Sequence, residues 1–90
     1  MRLTWEEAAK ADRREIRAYI SRHNPRAARF ISKLLLKQAL RLKRHPHLGY
    51  PGRASGTREW VAHPHYILIY ALGHDTVHIL RVLHTARLWP

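Results

Sequence analysis

The ninety-residue chain contains no cysteine, and it sets only six acidic residues against seventeen Lys and Arg. The missing thiols exclude disulfide staples, thiol nucleophiles and any cysteine-based zinc site, and they fit a reducing compartment. No apolar run approaches the roughly 18 residues that a membrane-spanning helix requires. The opening stretch, MRLTWEEAAK, carries acids and a Trp where a secretory leader needs an apolar core. These absences predict a cytoplasmic protein with no membrane partner. What is there is a chain with 46% apolar residues, too rich in Leu, Ile, Val and Trp for a disordered basic tail. Its length allows a single domain over residues 1–90 with one modest core. The shortage of acid leaves a formal net charge of +11. So much charge on so small a body predicts a polyanionic partner, either nucleic acid or an acidic protein.

The charge is unevenly spread. Residues 1–45 hold thirteen bases and four acids, whereas residues 46–90 hold four bases and two acids. Histidine runs the other way: only His23 and His45 lie in the first half, and six of the eight follow. Permanent charge thus sits on one half and titratable groups on the other.

Arg2–Trp5 reads as a short strand, and Thr4 with Glu7 has the spacing of a capping box that would start a helix. Ala9, Ile16, Tyr19, Ile20 and His23 then share one side of a 3.6-residue period, predicting an amphipathic helix over residues 6–22. Asp12 lies on that same side. Asn24-Pro25 ends this helix and opens a second, with Asn24 as N-cap and an apolar face of Ala27, Ile31, Leu34, Leu35, Gln38 and Leu42. Between His45 and Gly56 the chain turns to Pro, Gly, Arg and Ser, a loop composition. Three strand-like runs follow, at Thr57–Ala62, Tyr66–Leu72 and Thr76–Leu83, the last two joined by the hairpin Gly73-His74-Asp75. Simple alternation along the third run groups His78, Leu80, Val82 and His84 on one face and Val77, Ile79, Arg81 and Leu83 on the other. The expected fold class is α+β, ordered β-α-α-β-β-β: a small twisted, mainly antiparallel sheet with a helical hairpin on one face.

Three groups of residues are candidates for function. Arg26, Arg29, Lys33, Lys37, Arg41 and Arg44 recur every three or four positions along the second helix. They span about 27 Å at 1.5 Å per residue. No acid interrupts the sequence between Glu15 and Glu59, so i,i+4 pairing does not account for this stripe. It is either a solvated face or a contact for phosphates or an acidic chain. The histidines come second. His63-Pro64-His65 places two imidazoles two residues apart, and His84 ends a strand just before Arg87 and Trp89. With no Cys and few acids nearby, a metal site is not expected, nor is any cofactor. A neutral imidazole at His84 beside the Arg87 cation has the parts for acid–base work on a phosphate. Third, Arg58, Tyr66, Arg81 and Trp89 mix guanidinium and aromatic groups in the strand region, a composition that clamps anions and stacks bases. Tyr66, like Trp60 and Tyr70, reads first as a core or cross-strand residue, and Arg81, inside an apolar strand, must face a polar cleft or find an anion, with Asp12 a candidate.

The run GTREWVAHPHYILIYAL, a short turn, then VHILRVLHTARLWP resembles the C-terminal sheet signature of the ParE/RelE superfamily of bacterial type II toxins. The upstream Trp-bearing strand and the pattern Ala-x-x-Asp-Arg-x-x-Ile-x-x-Tyr-Ile extend that resemblance over essentially the whole chain, closer to the ParE branch. The resemblance implies the β-α-α-β-β-β fold and an acidic antitoxin that wraps the toxin in a hetero-oligomer. It also implies one of two targets. Toxins similar to ParE poison DNA gyrase without a known catalytic group of their own, whereas those similar to RelE enter the ribosome and cut mRNA. The RelE-like nuclease Arg on the middle strand is matched here by Ile67, and its later Tyr has no counterpart in this sequence. Its Arg after the last strand is matched by Arg87. A YafQ-like branch uses a His matching His84, with an Asp matching His65.

The expectation is therefore a growth-inhibiting toxin subunit acting on DNA gyrase, with Arg58, His63, His65, Tyr66, Arg81 and Trp89 contacting the target or holding anions. In this reading the helix stripe meets the antitoxin or another polyanion. The alternatives are a ribosome-dependent mRNA endonuclease using His84 and Arg87, and a non-toxic basic nucleic-acid-binding module.

Overall fold

A computed structural model describes residues 1–87 and 89; Pro90, which closes the C-terminal signature, lies outside them. The chain forms β1 (Arg2–Trp5), α1 (Glu7–Ser21), α2 (Pro25–Arg44), β2 (Tyr50–Pro51), β3 (Arg58–His63), β4 (Tyr66–Gly73) and β5 (Thr76–His84). The five strands make one sheet in the order β1-β5-β4-β3-β2. Only β1 runs parallel to its neighbour, β5; the remaining pairs are antiparallel. The α+β class and the element order agree with the sequence, with the addition of β2, a two-residue edge strand inside the expected loop. Pro51 is tolerated there because an edge position has no inward ladder bond to lose.

The helix starts differ from one another. Asn24 caps α2 as expected, its Oδ1 accepting from the Ala27 amide at 3.0 Å. At α1 the capping box does not form. Thr4 is drawn into β1, where it pairs with His78 across the parallel ladder and its hydroxyl meets His78 Nδ1 at 2.8 Å. Glu6 becomes the extended cap residue with no side-chain cap, and its amide continues the strand ladder to the Ile79 carbonyl at 2.9 Å. Strand pairing has taken the residue that local chemistry assigns to the helix.

The main core lies between helices and sheet. Ala9 from α1 and Ile31, Leu35, Ala39 and Leu42 from α2 pack on Ala62, Leu68, Tyr70, Val77, Ile79 and Val82. A smaller cluster on the opposite face of the sheet joins Ile67, Ile69 and Leu83, with Leu80 and Trp89 against it. These two lists break the simple alternation expected for β5. Ile69 faces Arg81 while Tyr70 faces Ile79, so Leu80 is an extra residue in a β-bulge. The bulge shifts the phase: Val77, Ile79 and Val82 all reach the helical side, and Leu80 and Leu83 reach the other.

The loop before β3 is tied down by polar groups. Tyr70 Oη donates to the Pro46 carbonyl at 2.8 Å and accepts from the Gly49 amide at 2.9 Å. A Cβ at Gly49 would stand 2.6 Å from that hydroxyl, so the position demands glycine. Buried Glu59 accepts from Arg53 Nη2 at 3.1 Å, from Arg53 Nε at 3.2 Å and from the Arg53 amide at 3.0 Å. These bonds hold the Glu59 carboxyl below the ordinary carboxylate value, led by the Arg53 side chain.

Candidate functional site

α1 and the ends of β4 and β5 enclose an open cleft of about 440 Å³. Asp12, Glu15, Ile16 and Tyr19 form its helical wall, spaced i, i+3, i+4 and i+7 so that one helix face presents all four. His65, Tyr66, Val82, His84 and Arg87 form the opposite wall. The bulge in β5 contributes directly, because its phase shift puts Val82 and His84 on the side facing α1.

At the base of the cleft, Asp12 is saturated. Its carboxylate accepts from Arg81 Nε at 2.8 Å, from Arg81 Nη2 at 3.0 Å and from the buried Val82 amide at 2.9 Å. The paired carboxylate raises the Arg81 guanidinium above the ordinary arginine value. Asp12 is therefore the anion that Arg81 needed. A fork held by two parallel bonds to an internal carboxylate has little capacity left for an external anion.

The imidazoles stack into a small aromatic group. His65 and His84 lie 5.5 Å apart and nearly parallel, at 16°. Tyr66 meets His84 edge-on at 5.8 Å, and His63 packs on both His65 and Tyr66. Backbone bonds fix this arrangement: the Thr85 amide donates to the His65 carbonyl at 2.9 Å, pinning the β3–β4 turn to the segment after β5. His84 Nδ1 accepts from the Ala86 amide at 3.0 Å, and His63 Nδ1 accepts from the His65 amide at 3.0 Å. A neutral ring whose Nδ1 accepts carries its proton on Nε2. With Nδ1 taken by the backbone, Nε2 is the His84 ring nitrogen left for other contacts. Burial, with a smaller contribution from the Tyr19 hydroxyl, pushes the Tyr66 phenol up, so it stays a neutral donor.

The family model for the ParE toxin of the type II toxin–antitoxin system parDE matches residues 3–89. The chain belongs to this family. It is a type II toxin of the ParE/RelE superfamily, a class whose members pair with an antitoxin. Toxin RelE2 of Caulobacter vibrioides is 36% identical over 86 residues, covering 96% of this chain and 97% of that protein. A putative toxin of Sinorhizobium fredii, Y4kP, is 37% identical over 90 residues, covering 99% and 93%. Among solved structures, the chromosomal ParDE system of P. aeruginosa contains a chain that superposes with a TM-score of 0.84 at 20% identity, covering 93% of this chain and 95% of that one. YafQ of E. coli superposes with a TM-score of 0.54 at 21% identity, covering 96% of each. Those two likenesses concern the fold.

In this ParE-family chain the expected site residues divide into three places. His65, Tyr66, His84 and Arg87 line the cleft, and His63 stacks beside it. Arg81 lies at its base in the Asp12 pair. Arg58 and Trp89 lie elsewhere. Arg58 is at the opposite end of β3 from His63, donating to the carbonyls of His47, at 3.1 Å, and Gly49, and to Tyr70 Oη at 3.4 Å. Trp89 packs on the rear cluster of Ile67, Ile69 and Leu83. The stripe residues Arg26, Arg29, Lys33, Lys37, Arg41 and Arg44 are all exposed on α2, and the Arg41 guanidinium sits 5.5 Å over the Trp60 ring. Sequence reasoning missed Glu15 as a cleft residue; its spacing from Asp12 and Tyr19 was the available signal. No helix among the described residues is long and apolar enough to cross a membrane.

Proposed function

We propose that this toxin arrests growth by binding DNA gyrase, and that the cleft between α1 and β5 is a recognition surface with no chemistry of its own. The observation that carries this reading is the Ala86 amide bond to His84 Nδ1. A general base needs an available nitrogen aimed at its proton, and His84 Nδ1 is already engaged by the backbone. Arg81 is likewise engaged by Asp12. The match to the ParE family model supports the same target. The antitoxin is proposed to be acidic and amphipathic, seated on the outer face of α2. There Phe30, Leu36 and Leu40 stand exposed between the bases, giving apolar seats flanked by cations.

Purified gyrase tests the target directly. Micromolar toxin is expected to block supercoiling or trap cleaved DNA, and an assay showing neither overturns the proposal. His84→Ala is expected to keep most of the growth inhibition, because a donor at the cleft rim is worth about 1 kcal/mol. One observation favours the mRNA endonuclease as a second reading: His65 and His84 stack in one cleft with Arg87. In that case His65→Ala and His84→Ala each abolish mRNA cleavage in a translating extract while the fold is retained. Inactivity in both assays, with retained nucleic-acid binding, would leave the non-toxic basic module.

A further inference from the structure

α1 presents a second surface, on the side of the helix turned away from the cleft. Lys10, Arg13, Arg14 and Arg17, again spaced i, i+3, i+4 and i+7, line a groove with Ser32 of α2. Every residue of this groove is polar and four of the five are basic. The one carboxylate touching them among the described residues is Glu7, 3.3 Å from Lys10 Nζ. Arg13 is held in place from below, with its guanidinium carbon 4.5 Å from the centre of the Trp5 ring. That stacking fixes the plane of the fork before any ligand arrives. Its Nε is buried and has no hydrogen-bond partner among the described residues. An unmade bond to a buried charged donor is costly, and Arg13, half-buried as a whole, leaves the rest of its fork for an anion in the groove.

We propose that the α1–α2 groove is a phosphate site that holds the backbone of a nucleic acid, with Arg13 as its pre-oriented fork and Arg14, Arg17, Lys10 and Ser32 around it. Burial draws Arg13 below the ordinary arginine value, as befits a cation without a counter-charge. Composition separates this groove from the outer face of α2. That face interleaves Phe30, Leu36 and Leu40 with its bases and suits an amphipathic chain, whereas the groove has no apolar seat to offer one. Phosphodiesters need only charge and donors. The groove's binding is independent of the gyrase reading and is measured without gyrase.

Titration of the full chain followed at the Arg13 side-chain Nε–H resonance tests this inference. Inorganic phosphate and a duplex DNA of arbitrary sequence are both expected to move that resonance, DNA at far lower concentration. Arg17→Gln, at an exposed position that leaves the Trp5 stack intact, is expected to weaken DNA binding several-fold. It should also make the log affinity against log salt plot shallower by about one unit. Arg13→Lys, which keeps the charge and loses the fork, should weaken DNA binding at least as much while leaving the salt slope unchanged. An Nε–H resonance that neither probe moves overturns the proposal, as does unchanged DNA affinity in Arg17→Gln. A glutamate oligomer that shifts the resonance at lower concentration than DNA would assign the groove to an acidic protein and also overturn it.

Discussion

Asp12 shows how much one side chain can hold together. From the first helix it reaches 69 residues along the chain to Arg81 and bonds the Val82 amide next to it. The pair fixes α1 against the bulged strand and so sets the width of the cleft. Asp12 is buried and Arg81 only partly so, which puts the pair between the surface and deep-interior regimes. Removing one partner leaves a guanidinium and a backbone N–H without an acceptor. Asp12→Ala is expected to lower unfolding stability by about 3 kcal/mol in a denaturant titration. Asp12→Asn, which retains an acceptor for the amide, should lose about half as much. Equal losses in the two variants would show that packing, and not the bonds, is what Asp12 contributes.

At the level of elements, most of the architecture was legible and the failures were local. The two helices and three long strands follow from periodicity, and the Asn24 cap from its side chain. Thr4 and Leu80 mark what sequence pattern does not carry. Thr4-x-x-Glu7 is a valid helix start that a parallel ladder to β5 overrode, a contact 74 residues away. Leu80 sits in a bulge with no glycine or proline to announce it, and that single extra residue moves Val82 and His84 to the helical face. The candidate cleft was consequently half legible: His65, Tyr66, His84 and Arg87 carried chemistry in their residue types, while their union with Glu15 and Tyr19 depended on the bulge.

The β2–β3 loop offers a test at the same scale. Glu59 is 2% exposed and binds Arg53 through its side chain and its amide. Its folded pKa is depressed, so the fold prefers the ionised form. This contribution is complete above the carboxylate's unfolded value and is lost as pH falls through the folded one. Arg53 is half exposed, and solvent reduces what the pair is worth. Glu59→Gln is therefore expected to cost about 1–2 kcal/mol at neutral pH. The difference should close on acidification as the wild-type carboxyl takes up a proton. A gap that stays constant down to strongly acid pH would mean that the charge contributes nothing.

For the whole molecule, the excess of +11 is organised by where the helices lie. Thirteen of the seventeen bases precede residue 46, and the α2 stripe and the α1 groove between them hold most of these on the helical layer. The sheet wall of the cleft brings two imidazoles, one phenol and one guanidinium instead, with a third imidazole, His63, stacked beside them. A long-range field of one sign on one side of a small protein acts first on encounter, before any contact is made. The association rate with an acidic antitoxin should accordingly fall steeply as salt rises, by at least tenfold from low to high ionic strength. The dissociation rate, set by apolar seats such as Phe30 and Leu40, should change far less. Stopped-flow mixing at several salt concentrations separates the two rates. Charge reversal at Lys37 and Arg41 together should flatten the salt dependence of association, because both lie in the stripe. If salt acts instead on dissociation alone, the bases of α2 form bonds within the complex, and the field of the helical layer does not steer its assembly.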